Sequence, residues 1–225
     1  MSARERVLAR LRAAPRPSFD GLRMGGGLRM SDKLAASDGL GTSASDTPLA
    51  LSLSKGELLA RFRAELTALG VEHHVESTPD AVRARVAAIV GDRPVLRWDV
   101  DRLPYGVGEL LAHAADGASA RDVQAAAAVG VTGCDAAIAE TGSLAMITGR
   151  GKPRAASLLP PTHLAIVGTD QLCETMGAFF RERAADLAAA ANCTFITGPS
   201  RTADIELTLT VGVHGPGRVV VIVGP

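Results

Sequence analysis

The sequence predicts an α/β fold in which helices cover a largely parallel sheet. From residue 54 onward, segments with apolar residues at helical spacing alternate with short apolar runs rich in β-branched residues, the order typical of parallel sheets. The chain has 225 residues, of which 47% are hydrophobic, enough to build one sizeable core. Aromatic residues make up only 3%. The core must therefore consist mainly of Ala, Val, Leu and Ile.

The N-terminal part of the chain is predicted to lie outside this domain. Residues 2–13 carry an apolar stripe between arginines, which indicates a short amphipathic helix. Residues 18–48 are rich in Gly, Ser, Asp and Thr and have no hydrophobic period, a composition typical of a flexible linker. We therefore expect an N-terminal helix and linker over 1–53 and the α/β domain over 54–225.

The first half of the domain contains clear helix signals. Ser54 with Glu57 three residues later forms a capping box, and Thr78 followed by Pro79 marks a second helix start. Ser119 is the predicted cap of an alanine-rich helix. The elements predicted here are helices over 55–69, 79–90 and 121–128 and strands over 71–75 and 94–98.

The second half is built from shorter segments. Residues 129–133 contain two glycines and are predicted to be a turn. A long apolar stripe over 172–191 predicts one helix. Strands are predicted over 136–139, 144–148, 163–168, 193–197, 207–213 and 218–223, from their short apolar or alternating runs.

A basic, glycine-rich loop over 149–154 is a candidate ligand-binding segment. Gly149 and Gly151 allow the backbone to approach a ligand closely, and Arg150 and Arg154 supply positive charge. The loop lacks the Ser or Thr that a Walker A loop uses for magnesium, since Pro153 stands there, and it lacks the third glycine of a dinucleotide fingerprint. We expect it to bind a small carboxylate or phosphate, with a solvated basic hairpin as the alternative.

Two further groups of polar residues follow predicted strands. Glu140, followed by Thr141 and Gly142, could act as a base or a nucleophile, or could simply cap local backbone. The other group comprises Ser200, Arg201, Thr202, Asp204 and, in a later turn, His214. A hydrolase triad of Ser200, His214 and Asp204 is disfavoured, because Pro199 suits the strained turn of a nucleophile elbow poorly.

These groups are expected to meet at one edge of the sheet. The carboxyl ends of parallel strands lie along one edge, where ligands of open α/β sheets bind. Glu140 and Arg201 should therefore lie close to the loop over 149–154, with Arg201 binding an anion through two hydrogen bonds.

Composition excludes several classes of function. Lys plus Arg and Asp plus Glu are 24 each, so the net charge is zero and nucleic acid is not an expected partner. Cys134, Cys173 and Cys193 are widely separated, which predicts that this chain binds neither metal nor an iron–sulphur cluster. Because no apolar run approaches a membrane span and the first residues lack a signal-peptide core, we expect a cytoplasmic protein.

Four motifs in this order resemble the lactate-utilisation protein C family, also called the LUD domain or YkgG family. They are Ala139–Ser143, Ser157–Pro160, Ser200–Glu206 with the preceding Gly198-Pro199, and Gly212–Pro216. The resemblance implies a three-layer α/β domain like those of CoA transferases and sugar-phosphate isomerases.

The same resemblance implies a role in growth on L-lactate. Members accompany two subunits that bear iron–sulphur clusters, so this chain would be the non-clustered subunit of an L-lactate oxidation system. It would then offer a small-anion site or a surface for docking those subunits. The alternative is an independent transferase-like enzyme that uses Glu140 as its catalytic carboxylate. Thr141 stands where CoA transferases carry Asn after the nucleophilic Glu, which weighs against that chemistry.

Overall fold

A computed structural model describes residues 53–202 and 210–225, so Asp204 and the predicted N-terminal helix and linker lie outside the described residues. The helices within the described ranges are α1 (Lys55–Ala68), α2 (Pro79–Val90), α3 (Val107–Leu110), α4 (Arg121–Ala125), α5 (Ala155–Leu158), α6 (Met176–Glu182) and α7 (Ala184–Ala189). The strands are β1 (Glu72–Val75), β2 (Val95–Arg97), β3 (Val129–Thr132), β4 (Ala136–Ile138), β5 (Ser143–Ile147), β6 (Thr162–Gly168), β7 (Leu172–Cys173), β8 (Cys193–Ile196), β9 (Arg201–Thr202), β10 (Thr210–Val211) and β11 (Arg218–Gly224).

The main sheet has five parallel strands in the order β1-β11-β6-β3-β2. Strands β3 and β6 and nearly all of β11 are buried, as expected for strands covered by helices on both faces. The predicted α/β class with a parallel sheet is confirmed. The core is aliphatic, as the composition requires, with Phe62 of α1 among its few aromatic side chains.

A second sheet departs from the single open sheet that we predicted. Strands β7-β4-β5-β8 form a mixed four-stranded sheet, and β9 and β10 pair as a separate short ribbon. Strands β4 and β5 form an antiparallel hairpin, because Gly142 adopts a left-handed φ of 66° that closes the turn between them. The glycine breaks the helix–strand alternation at this point in the chain.

The helix starts at Ser54 and Thr78 are confirmed. The Ser54 hydroxyl accepts a hydrogen bond from the Glu57 backbone N–H, and the Glu57 carboxylate accepts one from Ser54 N–H in return. Thr78 Oγ1 accepts from Ala81 N–H at the start of α2. The cap predicted at Ser119 is wrong. Its hydroxyl instead accepts from the Asp116 N–H, and α4 ends at Ala125.

The predicted turn over 129–133 is wrong, because residues 129–132 form the buried strand β3. A Cβ on Gly130 would lie 1.7 Å from the Ala156 carbonyl oxygen of α5. The glycine is therefore present because helix α5 packs directly on the strand, and its role is close packing rather than turning.

The single helix predicted over 172–191 is also wrong. Its first residues pair with β4 as strand β7, and α6 begins after Thr175, whose hydroxyl accepts from Ala178 N–H. Arg183 has a non-helical φ of −105° and separates α6 from α7. Its guanidinium donates to the Asp135 carbonyl oxygen, which links this break to the start of β4.

Candidate functional site

The carboxyl edge of the parallel sheet carries a compact set of polar groups. Trp98 and Asp99 follow β2, and Asp135 lies three residues after β3. Ligands of open α/β sheets bind outside this edge. The edge is therefore the first place to look for a site.

The basic loop over 149–154 lies against this edge. Asp99 N–H donates to the Gly151 carbonyl oxygen at 2.9 Å. Gly151 has a φ of 78°, and a Cβ there would meet the Asp99 carboxylate at 2.9 Å, so this position requires glycine. The Gly149 carbonyl accepts from Lys152 N–H at 3.2 Å and closes a turn within the loop.

Asp135 fixes the loop through its side chain. One carboxylate oxygen accepts from Lys152 Nζ at 2.5 Å, and the other accepts from Ile147 N–H at 2.7 Å. Both side chains of the ion pair are largely buried. Lys152 Nζ also lies 5.3 Å from the centre of the Trp98 ring, within range of a cation–π interaction.

Two cavities flank the loop. The first has a volume of about 310 Å³ and is lined by Arg102, Asp135, Ile147, Thr148, Gly149, Arg150, Lys152, Asp186, Ala189 and Ala190. The second, of about 500 Å³, is lined by Asp99, Gly117, Ala118, Thr148, Gly149, Gly151, Lys152, Pro153 and Arg154. Thr148, Gly149 and Lys152 line both cavities, so the loop forms their shared wall.

The charges around the first cavity are unevenly compensated. Asp135 is paired with Lys152, and Asp186 is paired with Arg183 at 3.3 Å. Within residues 53–202 and 210–225, the ion-pair partner of Arg102 is exposed Asp101, at 3.7 Å. Arg150 is exposed and has no side-chain partner among the described residues. The open positive charge makes this cavity suitable for a small anion.

Glu140 lies elsewhere, in the turn between β4 and β5. Its carboxylate accepts from the N–H of Met176, the first residue of α6, at 3.2 Å. Thr141, Ser143 and Thr197 form a chain of hydroxyl hydrogen bonds of 2.8 and 2.7 Å beside it. In these contacts Glu140 serves as a partner for the amino end of a helix.

Arg201 and its neighbours lie near the amino edge of the parallel sheet. Arg201 Nη2 donates to the Leu69 carbonyl oxygen at the C-terminal end of α1, at 2.7 Å. Ser200 N–H donates to the Pro216 carbonyl, just before β11. His214 is exposed in the following turn, and Thr202 pairs with Thr210 in the short ribbon.

The expectation that these groups meet at one edge is therefore wrong. The Glu140–Gly142 turn precedes β5 and the basic loop follows it, and the five residues of β5 span about 17 Å. Gly142 and Gly198 both approach Leu69, so Glu140 belongs to the side of the molecule that holds Arg201. The hairpin reverses the chain direction, and that reversal separates the predicted residues into two clusters.

Sequence reasoning missed Asp135, Thr148 and Arg102. Asp135 stands directly before a strand, and Lys152 lies in a loop after the next strand. An antiparallel hairpin over 136–147 would have predicted that they meet. The turn signal for that hairpin was Gly142, which we assigned to a ligand-binding turn. Nothing in the sequence indicates that Arg102 lines the cavity, because its position depends on how the segment after β2 packs.

The described residues contain no group of three or more His, Cys, Asp or Glu side chains arranged to hold a metal ion. Cys134 is buried, and desolvation raises the pKa of its thiol. Cys173 is also buried, and Cys193 is partly buried.

No helix in the described ranges is both long and apolar enough to cross a membrane.

Fold and site together define a class: an α/β domain with a basic, glycine-rich loop at the carboxyl edge of a parallel sheet. The model of the LUD domain family matches residues 59–223, and the chain belongs to that family. A protein named Lactate utilization protein C from Geobacillus sp. is 33% identical over 191 residues, covering 76% of this chain and 79% of that protein. One of the same name from Macrococcus caseolyticus is 33% identical over 188 residues, covering 76% and 79%.

A solved structure shows the same fold. It is a crystal structure of a DUF162 family protein from Deinococcus radiodurans, 24% identical to this chain, with a TM-score of 0.63. It covers 77% of this chain and 99% of its own chain.

Proposed function

We propose that this chain is the non-clustered subunit of an L-lactate utilisation system and acts beside partner subunits that bear iron–sulphur clusters. The observation that carries the proposal is the similarity to proteins named Lactate utilization protein C over about three quarters of the chain. The chain itself would bind no cluster, in keeping with three cysteines that are far apart in the sequence, two of them buried and one partly buried.

The basic loop supports a ligand-binding contribution to this role. A small anion in the cavity beside Arg150 would lie at the carboxyl edge of the sheet, within reach of Arg102 and Lys152. In this proposal the chain presents or senses the carboxylate, and the partner subunits carry the electrons. The exposed cluster around Arg201 and His214 would remain available for docking those partners.

The proposal is tested by deleting the gene in the organism that encodes the chain and measuring growth on L-lactate as sole carbon source. We expect growth on L-lactate to fail while growth on glucose is unchanged, and a plasmid copy of the gene to restore it. Normal growth of the deletion strain on L-lactate would contradict the proposed function.

The partner part is tested separately. The tagged chain, purified gently from cells grown on L-lactate, should carry iron with co-purifying subunits, and the isolated chain should carry none. Iron that stays with the chain after the other subunits are removed would contradict a non-clustered role.

A further inference from the structure

An unpaired hydroxyl lies in the wall between the two cavities. Thr148 Oγ1 is one of two buried side-chain polar atoms that have no hydrogen-bond partner within the described part of the chain. A buried polar atom without a partner destabilises the folded state, because it has lost its hydrogen bonds to water. Thr148 lines both cavities. Because Oγ1 is buried in the present rotamer, a ligand in either cavity would reach it only after rotation about the Cα–Cβ bond.

The first cavity contains side chains that would bind one negatively charged group. Among the described residues Arg102 and Arg150 have no close carboxylate partner, and each guanidinium can bind a carboxylate through two parallel hydrogen bonds. Lys152 is already neutralised by Asp135 at 2.5 Å and is held in place over Trp98. Its role in binding is therefore to shape the cavity rather than to supply free charge.

The acidic side chains of the same cavity limit how much negative charge it accepts. Asp135 and Asp186 both line it and are each engaged with one cation. A carboxylate oxygen has lone pairs left over after one hydrogen bond and can accept from a ligand hydroxyl. The same carboxylates repel a ligand that carries two or more negative charges. The lining therefore favours a monoanion with a hydroxyl group over a phosphate dianion.

The cavity is large enough to admit such a ligand. Its volume of about 310 Å³ is at the small end of the range for metabolite pockets, which is about 300–1,000 Å³. We propose that the cavity bounded by Thr148, Arg150 and Arg102 binds a small hydroxycarboxylate monoanion, with the arginines on the carboxylate and Thr148 on the hydroxyl. The choice of L-lactate as the first ligand to test rests on the proposed function.

The test titrates L-lactate, propionate and inorganic phosphate into the full chain and compares it with four variants by isothermal titration calorimetry. L-lactate and propionate differ by the hydroxyl group alone. We expect propionate to bind the unmodified protein about tenfold more weakly than L-lactate, and inorganic phosphate to bind more weakly than L-lactate. Thr148→Val should weaken L-lactate binding by about tenfold and leave propionate binding unchanged. Thr148→Ser, which keeps the hydroxyl, should restore most of the lost affinity.

Arg150→Gln should weaken the binding of both L-lactate and propionate by about tenfold or more. Arg63→Gln removes an exposed arginine of α1 that lines neither cavity, and it should change neither affinity. Equal affinities for L-lactate and propionate in the unmodified protein would overturn the proposal, as would tighter binding of phosphate or full binding by Arg150→Gln. If these binding results fail while the deletion strain still cannot grow on L-lactate, the ligand assignment is wrong and the proposed function stands.

Discussion

At the residue scale, Asp135 connects the basic loop to the neighbouring strands. Its carboxylate binds both Lys152 of the basic loop and the backbone of Ile147 at the end of β5. The same residue contributes its carbonyl to Arg183 and its N–H to the β4–β5 hairpin. One residue therefore joins the loop, the second sheet and the edge of the parallel sheet.

Replacing Asp135 with Asn should lower the free energy of unfolding by about 1–3 kcal/mol. Asn can still accept from Ile147 N–H, but Lys152 would lose its charged partner and remain partly buried. Denaturant unfolding would measure the change, and the fluorescence of Trp98 should shift because Lys152 lies 5.3 Å from its ring. Asp92→Asn, at an exposed turn, is the control. Equal stability of the two variants would show that the ion pair contributes nothing to the fold.

The burial of His163 should make the free energy of unfolding depend on pH. His163 lies buried in the central strand β6, with Nε2 at 2.9 Å from Thr132 Oγ1, and Nδ1 has no hydrogen-bond partner in the part of the chain that the structure describes. Desolvation lowers the pKa of this imidazole to about 4, from an ordinary value of 6.5. The folded protein therefore keeps His163 neutral over a pH range in which the unfolded chain binds a proton.

Stability should consequently fall as the pH decreases from about 6.5 to about 4. At about 1.4 kcal/mol per pKa unit, the full effect of His163 amounts to roughly 3 kcal/mol. His163→Gln should reduce this decline, and His113→Gln, at an exposed position, should leave it unchanged. The measurement is the free energy of unfolding in urea between pH 7 and pH 4. Identical slopes for the two variants would contradict the assignment.

At the element scale, the packing of α5 on β3 places the basic loop. Helix α5 begins directly after Arg154, and its carbonyl at Ala156 fits against Gly130 with no room for a side chain. Four residues are too short to form a stable helix alone, so this contact determines where the helix lies. The end of the loop is positioned by the same contact.

Gly130→Ala should therefore lower the free energy of unfolding by about 3 kcal/mol, because the new Cβ would lie 1.7 Å from a backbone oxygen. Gly56→Ala is the control, since a Cβ there meets nothing within 4 Å. Thermal unfolding of both variants provides the measurement. A Gly130→Ala protein as stable as the unmodified chain would show that α5 can move away from the strand at little cost.

The same glycine shows why parts of the fold could not be predicted from the sequence. The helix starts and the apolar strands could be predicted because caps and hydrophobic period are local signals. Gly130 and Gly142 carry the same local signal, yet one packs inside a buried strand and the other closes a hairpin. The difference depends on which element approaches from elsewhere in the chain. The loop over 149–154 was predicted correctly as a basic segment at a strand end, but its partner Asp135 was not.

At the scale of the whole molecule, the two ends of the parallel sheet carry different groups. The carboxyl edge holds the basic loop, its cavities, and Arg102 and Arg150, which have no close carboxylate partner in the described ranges. The amino edge holds Arg201, which caps α1 at Leu69, and the Ser200 backbone contact with Pro216. We therefore expect ligand binding to depend on the first set and helix stability to depend on the second.

The most direct test of this account is a titration of L-lactate into Arg150→Gln and Arg201→Gln side by side, by isothermal titration calorimetry. Each variant removes one guanidinium from a different edge. We predict that Arg150→Gln binds L-lactate at least about tenfold more weakly than the unmodified chain. Arg201→Gln should bind L-lactate as the unmodified chain does, and its free energy of unfolding should be lower by about 1 kcal/mol. Loss of binding in Arg201→Gln, with binding retained in Arg150→Gln, would contradict the placement of the site at the carboxyl edge.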